Sequence, residues 1–203
     1  MNENVRNICD AAVSSGLLRR LETIYTGMDR AYNRAAGHYG FSCKPCTDNC
    51  CLTRFYHHTT IEYACLLHGF LALPRDMQLL CLGRADAYSR EMERVSSGGG
   101  NFLHMCPVND QGLCLIYEYR PMICRLHGIP HELNPPGRGK LFGAGCMEFE
   151  KTCGTAASFC FDRTSFYTEM AELEQQFRKQ THIQEKFKMT VAGMLLTTEA
   201  GER

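Results

Sequence analysis

The stretch CKPCTDNCC, residues 43–51, carries four cysteines within nine positions. Cys43 and Cys46 form a C-x2-C pair, whose two-residue gap lets the chain turn so that both sulfurs reach one ion. Cys50 and Cys51 follow as neighbours in the chain. Since adjacent side chains leave an extended backbone on opposite sides, this pair favours more than one metal centre. A single tight site with one additional structural thiol is the alternative.

A second cysteine-bearing region, CPVNDQGLCLIYEYRPMICRLHGIP, begins at Cys106. One more cysteine, Cys146, ends the loop-rich stretch NPPGRGKLFGAGC. Together the two irregular regions supply enough thiols for two four-sulfur sites, or for one polynuclear cluster that shares sulfurs. The candidate metal ligands are Cys43, Cys46, Cys50, Cys51, Cys106, Cys114, Cys124 and Cys146.

Metal ligation competes with disulfide formation as the explanation of so many thiols. The chain has 203 residues and 13 cysteines, an odd number. Its first residues, MNENVRNICD, lack the apolar stretch of a secretory signal, so we expect a cytoplasmic protein. A reducing cytosol keeps thiols free, and the vicinal Cys50 and Cys51 would bridge each other only with strain. The pattern therefore favours metal over a disulfide framework.

Charge and hydropathy narrow the range of partners. The 22 basic and 22 acidic residues balance, which gives no electrostatic reason to expect nucleic acid or an anionic membrane as a partner. The apolar runs are interrupted by charges within a few residues, so we expect no membrane span. Metal ions are the expected partners, together with a protein partner or substrate. The length suits a single domain over 1–203.

Helical periodicity dominates both ends of the chain. Apolar residues recur every three to five positions and predict an N-terminal helix over 1–40. Thr59 and Glu62 form a capping-box pattern that opens a helix ending near Ala72. Pro74 suits the first turn of the next helix, which we expect to end at the flexible stretch SSGGGN.

The central region, 41–147, is predicted to be a largely irregular metal-binding region. Within it, LCLIYE is consistent with a short strand, and Pro121 opens a short helix. C-terminal helices are predicted over 160–198, one of them beginning at a capping box formed by Thr181 and Gln184. The expected fold is mainly α, with helices bracing two irregular cysteine-rich loops around a metal centre and at most a short strand or hairpin.

Polar residues beside the cysteines are candidates for an outer layer of the site. A divalent ion held by four thiolates carries about two net negative charges. Arg120 and Arg125 are placed in sequence to offset that charge or to donate to sulfur, with ordinary surface charge as the alternative. Tyr117 is a candidate for the same layer, with core packing as its alternative. His127, three residues after Cys124, is a candidate additional metal ligand.

The remaining cysteines have simpler interpretations. Cys9, Cys65 and Cys81 occupy apolar positions of predicted helices and are interpreted as packing residues. Cys153 and Cys160 continue from the last candidate ligand in steps of seven residues. That step repeats one face of a helix, so these two either join the site or pack in the core.

The two cysteine motifs together resemble the YkgJ-type cysteine-cluster family, described as a zinc- or iron-chelating domain. The family pattern is C-x2-C-x3-C-C, then Cys-Pro, Cys-x-Ile-Tyr, Arg-Pro-x-x-Cys-Arg and a later Cys, and the match spans roughly 41–147. The matching residues are Cys43, Cys46, Cys50, Cys51, Cys106, Pro107, Cys114, Ile116, Tyr117, Arg120, Pro121, Cys124, Arg125 and Cys146. The sequence CME that begins at Cys146 lacks the proline of the pattern. Flagellin lysine N-methylases contain a similar cysteine run.

The resemblance implies a metal centre more firmly than it implies a reaction. Zinc and iron both accept four thiolates, so the ligand type leaves open zinc, iron or an iron–sulfur cluster. We expect a soluble metal-binding protein with one or two thiolate-coordinated centres. The alternatives are an iron–sulfur-dependent redox or protein-modifying enzyme, such as a lysine N-methylase, and a metal-stapled protein-interaction module.

Overall fold

The computed structural model of the chain describes residues 3–43, 50–155, 159, 161–183 and 186–199, without the side chains of residues 4 and 50. It is mainly helical, with 61% of the residues in helices, which confirms the predicted class. The helices are α1 Glu3–Ser14, α2 Leu17–Tyr39, α3 Thr60–Leu71, α4 Arg75–Gly98, α5 Met122–Leu126, α6 Met147–Cys153, α7 Thr164–Thr181 and α8 Val191–Leu196.

Two small antiparallel hairpins interrupt the helices. The strands are β1 Asn109–Asp110, β2 Leu113–Cys114, β3 His131–Leu133 and β4 Leu141–Gly143. Strand β1 pairs with β2, and β3 pairs with β4. The sequence allowed for one short strand or hairpin, so the second hairpin was not predicted. Its second strand lies in the stretch that was interpreted as a loop.

The N-terminal segment forms two helices where a single helix was predicted over 1–40. Helix α1 ends at Ser14 and α2 begins at Leu17. Between them Gly16 adopts φ 71°, in the left-handed region, which a right-handed helix cannot contain. Both helices bury an apolar face, so the apolar periodicity continues across the break at Gly16. The periodicity alone therefore does not reveal that there are two helices.

The predicted starts of the central helices are confirmed at α3 and α4. Thr59 precedes α3 and Pro74 precedes α4. The capping box itself is not formed, because the Thr59 hydroxyl donates to the Glu62 carboxylate at 2.6 Å. Helix α4 continues through Gly98, into the stretch that was expected to be a break.

The predicted last helix starts in the wrong place. Thr181 ends α7, and its hydroxyl donates to the carbonyl of Phe177 at 2.8 Å. Gln184, the other member of the predicted capping box, lies outside the described residues. Helix α8 begins at Val191, where the Thr190 hydroxyl accepts a hydrogen bond from the Gly193 amide at 3.2 Å.

The buried apolar side chains form two clusters. The first joins α2, α5, α6 and α7 and includes Leu21, Met28, Leu126, Phe149, Leu173 and Phe177. The second joins α3, α4 and α8 and includes Leu66, Phe70, Cys81, Leu82, Ala85 and Met194. Cys65 and Cys81 are buried in these clusters and Cys9 packs against the second, which confirms their interpretation as packing residues. Across the described ranges, no helix is both long and apolar enough to cross a membrane.

Candidate metal centre

A cavity of about 550 Å³ is bordered by side chains of both clusters. Six of the eight candidate ligands line it: Cys43, Cys51, Cys106, Cys114, Cys124 and Cys146. Cys46 lies outside the described residues, and the side chain of Cys50 is not described. His127, Tyr117, Arg120 and Arg125 also line the cavity. The two cysteine regions, far apart in sequence, therefore face one cavity.

A direct backbone contact joins the two regions. Cys51 lies in a 3-10 turn, Cys50–Leu52, and its carbonyl accepts a hydrogen bond from the amide of Cys106 at 2.9 Å. The two thiols are hydrogen-bonded to each other as well. This hydrogen bond and burial raise the pKa of Cys106 well above its ordinary value. The first and second cysteine regions are thus in contact through both backbone and sulfur.

The β1–β2 hairpin positions Cys114. Its turn residues, Gln111 and Gly112, have φ 49° and 87°, and left-handed values at both positions match the right-handed twist of a two-residue hairpin. The Asn109 side chain accepts from the Gly112 amide at 3.0 Å, and the Asn109 amide donates to the Cys106 carbonyl at 3.0 Å. Since Asn109 is also the cross-strand partner of Cys114, the hairpin brings Cys106 and Cys114 to the same wall of the cavity.

A buried carboxylate positions the helix that carries Cys124. Glu62 is 4% exposed and accepts hydrogen bonds from the Met122 amide at 2.6 Å and the Tyr25 hydroxyl at 3.1 Å. Burial raises the pKa of Glu62, and these hydrogen bonds oppose the rise. Met122 is the first residue of α5, so Glu62 fixes the start of this short helix against α2 and α3.

The two predicted outer-layer arginines share one carboxylate of α2. Arg125 donates to Asp29 at 2.6 Å and to the Arg120 carbonyl at 2.9 Å, while Arg120 donates to Asp29 at 3.2 Å. The Arg125 guanidinium also lies 3.9 Å from the centre of the Tyr25 ring. The Arg120 guanidinium lies 3.5 Å from the centre of the Tyr117 ring. These contacts hold the segment before α5, and α5 itself, against α2.

Four of the thiols influence one another electrostatically. Burial raises the pKa of Cys114 to about 11, and the neighbouring Cys51 adds to the rise. The pKa of Cys124 is raised further by burial, with added contributions from Cys114 and Cys51. Arg120 opposes the rise at both Cys114 and Cys124. With Cys106, which is hydrogen-bonded to Cys51, these residues form one group, which we call the inner thiols: Cys51, Cys106, Cys114 and Cys124.

The other two described candidate ligands, Cys43 and Cys146, also line the cavity. Cys43 is exposed, and Cys146 caps α6 by accepting from the Phe149 amide at 3.4 Å. The Cys146 amide donates to the Gly128 carbonyl at 3.0 Å. Gly128 has φ 107°, and a Cβ there would lie 3.3 Å from the Tyr32 hydroxyl and 3.7 Å from the Cys146 sulfur. The left-handed φ favours glycine at this position, and an added Cβ would be tight against the Tyr32 hydroxyl while making only an ordinary contact with Cys146.

Two histidines line the cavity. Burial lowers the pKa of His127, as does Arg163, while Cys51 raises it, so His127 lies within electrostatic reach of an inner thiol. His57 is only 3% exposed, and its Nε2 finds no hydrogen-bond partner in the described part of the chain. Burial lowers the pKa of His57 to about 4. The sequence predicted no role for His57, because a histidine beside a helix start carries no local signal of burial.

The two remaining cysteines stand apart from this arrangement. Cys153 ends α6 and donates to the Tyr39 carbonyl at 3.6 Å, where it packs against the first cluster. Cys160 lies outside the described residues. For Cys153, these contacts favour packing over ligation.

The inner thiols do not form a finished coordination sphere. Within the described ranges, no group of three or more Cys, His, Asp or Glu side chains is arranged to hold a metal ion. The donor type nevertheless fits zinc or iron, which both bind thiolate sulfur in buried sites. Ligation would require the thiols to lose their protons and to converge further into the cavity.

No protein-family model matches the sequence, and comparisons with curated proteins and with solved structures found no match. The resemblance to the YkgJ-type family therefore stays a prediction that depends on the two cysteine motifs.

Proposed function

We propose that this chain is a cytoplasmic metal-binding protein that holds zinc or iron through cysteine thiolates. One observation carries the proposal: the inner thiols come from two regions about fifty residues apart in sequence, yet they line one cavity and influence one another electrostatically. Cys106, Cys114 and Cys124 are not joined in disulfides, as metal ligation requires. Burial raises the pKa values of Cys106, Cys114 and Cys124, and a bound cation would stabilise the thiolate forms that burial disfavours.

The inner thiols are the proposed ligands of a first centre. A divalent ion held by four thiolates has a net negative charge of about two, and Arg120, which already acts on Cys114 and Cys124, would stabilise it. Cys43 and Cys146, which also line the cavity, are the proposed ligands of a second centre or of an extension of the first. Cys46 and Cys50 are the proposed completing ligands. His127, near Cys51, is the proposed additional ligand.

The bound metal would supply a structural cross-link if it is zinc and one-electron chemistry if it is an iron–sulfur cluster. The chain itself contributes burial, the Arg120 charge and the hydrogen-bonded support of α5. Because burial disfavours the thiolate form of these cysteines, we expect metal binding to release protons from them.

A second candidate is an iron–sulfur-dependent redox or protein-modifying enzyme, such as a lysine N-methylase. The concave cavity of about 550 Å³ favours it over a metal-stapled interaction module, for which an exposed apolar patch is expected instead of a concave pocket. Tyr117 and Arg120 line the cavity and would contact a substrate there.

Elemental analysis of protein purified without oxygen, combined with its visible absorption spectrum, tests the proposal. We expect about one or two zinc ions per chain, or about two to four iron ions for each iron–sulfur cluster, with absorption bands that bleach on reduction only if such a cluster is present. The variants Cys114→Ser and Cys124→Ser should lose metal from the inner thiols.

Cys9→Ser is the matched control, since Cys9 is half-buried like Cys114 but does not line the cavity. It should keep the wild-type metal content. Wild-type protein with full helical signal that takes up neither zinc nor ferrous iron under reducing conditions would overturn the proposal.

A further inference from the structure

Arg163 lies immediately before α7, and its side chain is buried away from the surface. It is 2% exposed, and its guanidinium donates to the carbonyls of Leu126 and of Ile129, the latter at 3.1 Å. The guanidinium carbon lies 5.0 Å from the centre of the Phe161 ring. Its Nε is also buried and has no hydrogen-bond partner among the residues that the structure describes.

No carboxylate balances this charge within the described ranges. The groups that act electrostatically on Arg163 are the phenols of Tyr167 and Tyr32, and burial lowers its pKa to about 10. Arg120 and Arg125, by contrast, are paired with Asp29. Isolated buried charges are rare because their desolvation is costly, so a buried guanidinium without a carboxylate points to a negative group that forms only in the functional state.

The position of Arg163 indicates where that negative group forms. The two carbonyls that it binds flank His127 and Gly128, which line the cavity. The Gly128 carbonyl in turn accepts a hydrogen bond from the Cys146 amide. Arg163 therefore lies directly behind the wall of the cavity that carries Cys146 and His127, and its charge already lowers the pKa of His127.

We infer that Arg163 is the buried counter-charge of an anionic metal–thiolate centre in this cavity. Its guanidinium stabilises the net negative charge of the centre through the wall formed by residues 126–129, and its two hydrogen bonds position that wall. The inference rests on the proposed function, and it makes Arg163 a positioning residue that does not itself touch the metal.

The variants Arg163→Met and Arg163→Lys separate charge from packing. Both lose the guanidinium nitrogen that donates to the carbonyls of Leu126 and Ile129, but only lysine keeps the positive charge. In metal-free protein the lysine variant should have the lower unfolding midpoint, because its charge is buried without a partner. After loading with zinc the order should reverse. In a competition with a chromophoric chelator, the methionine variant should bind zinc about 10- to 100-fold more weakly than wild type, and lysine should restore most of the affinity.

The opposite pattern would overturn the inference. If the two variants keep the same order of unfolding midpoints with and without zinc, and lose affinity equally, Arg163 only braces the wall. Should Arg163→Met fail to fold, Arg163→Gln replaces it, since the amide keeps one donor for the Leu126 carbonyl without the charge. Wild-type protein that binds no metal would instead refute the proposed function, whatever the variants show.

Discussion

Glu62 shows how burial changes the role that a local motif predicts. Its spacing from Thr59 indicates a capping box, which would place its carboxylate at a solvated helix start. In the structure the carboxylate is buried and accepts hydrogen bonds from Thr59, from the Tyr25 hydroxyl and from the Met122 amide. The last two partners come from distant parts of the chain, so no local pattern could have predicted this connection between α2, α3 and α5.

His57 makes stability depend on pH in a defined window. Its pKa is about 4 in the folded protein, against an ordinary value of 6.5, because burial disfavours the charged imidazole. The folded state thus binds fewer protons than the unfolded state between these values, and stability falls as the pH drops from 6.5 towards 4. The contribution of His57 should amount to about 2 kcal/mol between pH 7 and pH 5. Urea unfolding of wild type and His57→Phe at both pH values measures it, and the variant should lose less stability on acidification.

The neighbouring His58 supplies the control. It is exposed, and its charge adds only the smaller contribution to the lowered pKa of His57, after burial, so His58→Gln should keep most of the wild-type pH dependence. His131, whose pKa burial also lowers to about 4, titrates in the same window in all three proteins and cancels in the comparison. Equal acid sensitivity in His57→Phe and wild type would show that the imidazole of His57 is not buried in solution.

Among the helices, local chemistry predicted starts better than internal breaks. Pro74 and Pro121 precede α4 and α5, because proline fits the position before or within a first turn. The break between α1 and α2 was missed, since apolar periodicity continues across Gly16. Helix α8 is capped by Thr190 and not by Thr181. Both threonines precede apolar residues, and only the packing of the surrounding helices selects one as a cap.

Gly16 tests whether backbone conformation sets the α1–α2 junction. Gly16→Ala should destabilise the protein by about 1–2 kcal/mol, because alanine is strained at φ 71° although nothing lies within 4 Å of its Cβ. Gly83→Ala in the middle of α4 is the matched control, with equally open surroundings and an ordinary helical backbone. It should stabilise by roughly 0.5–1 kcal/mol. Chemical denaturation measures both, and a stabilising effect of Gly16→Ala would mean that the chain forms one continuous helix.

Over the whole molecule, spacing identified the thiols but not their arrangement. The C-x2-C and vicinal pairs indicate ligands whatever the fold, because chain geometry alone brings neighbouring sulfurs together. The contact between Cys51 and Cys106 depends on a hairpin, a 3-10 turn and two packed clusters, none of which a spacing encodes. For the same reason, Arg163 and His57 gave no signal in the sequence, since their importance comes from burial.

Metal removal should loosen the cavity without unfolding the molecule. The two apolar clusters bury side chains such as Phe70 and Phe177 completely without any metal, so they should maintain the helices when the proposed metal is removed. After chelation under reducing conditions, we expect faster amide hydrogen exchange in 50–58 and 104–128, while α2, α3 and α7 keep their protection and the far-ultraviolet circular dichroism stays unchanged. A Cys114→Ser, Cys124→Ser double variant, purified without metal at the inner thiols, should show the faster amide hydrogen exchange in 50–58 and 104–128 before chelator is added. Collapse of the helical signal on chelation would instead show that the clusters are too weak to hold the fold and that ligation and folding are a single step.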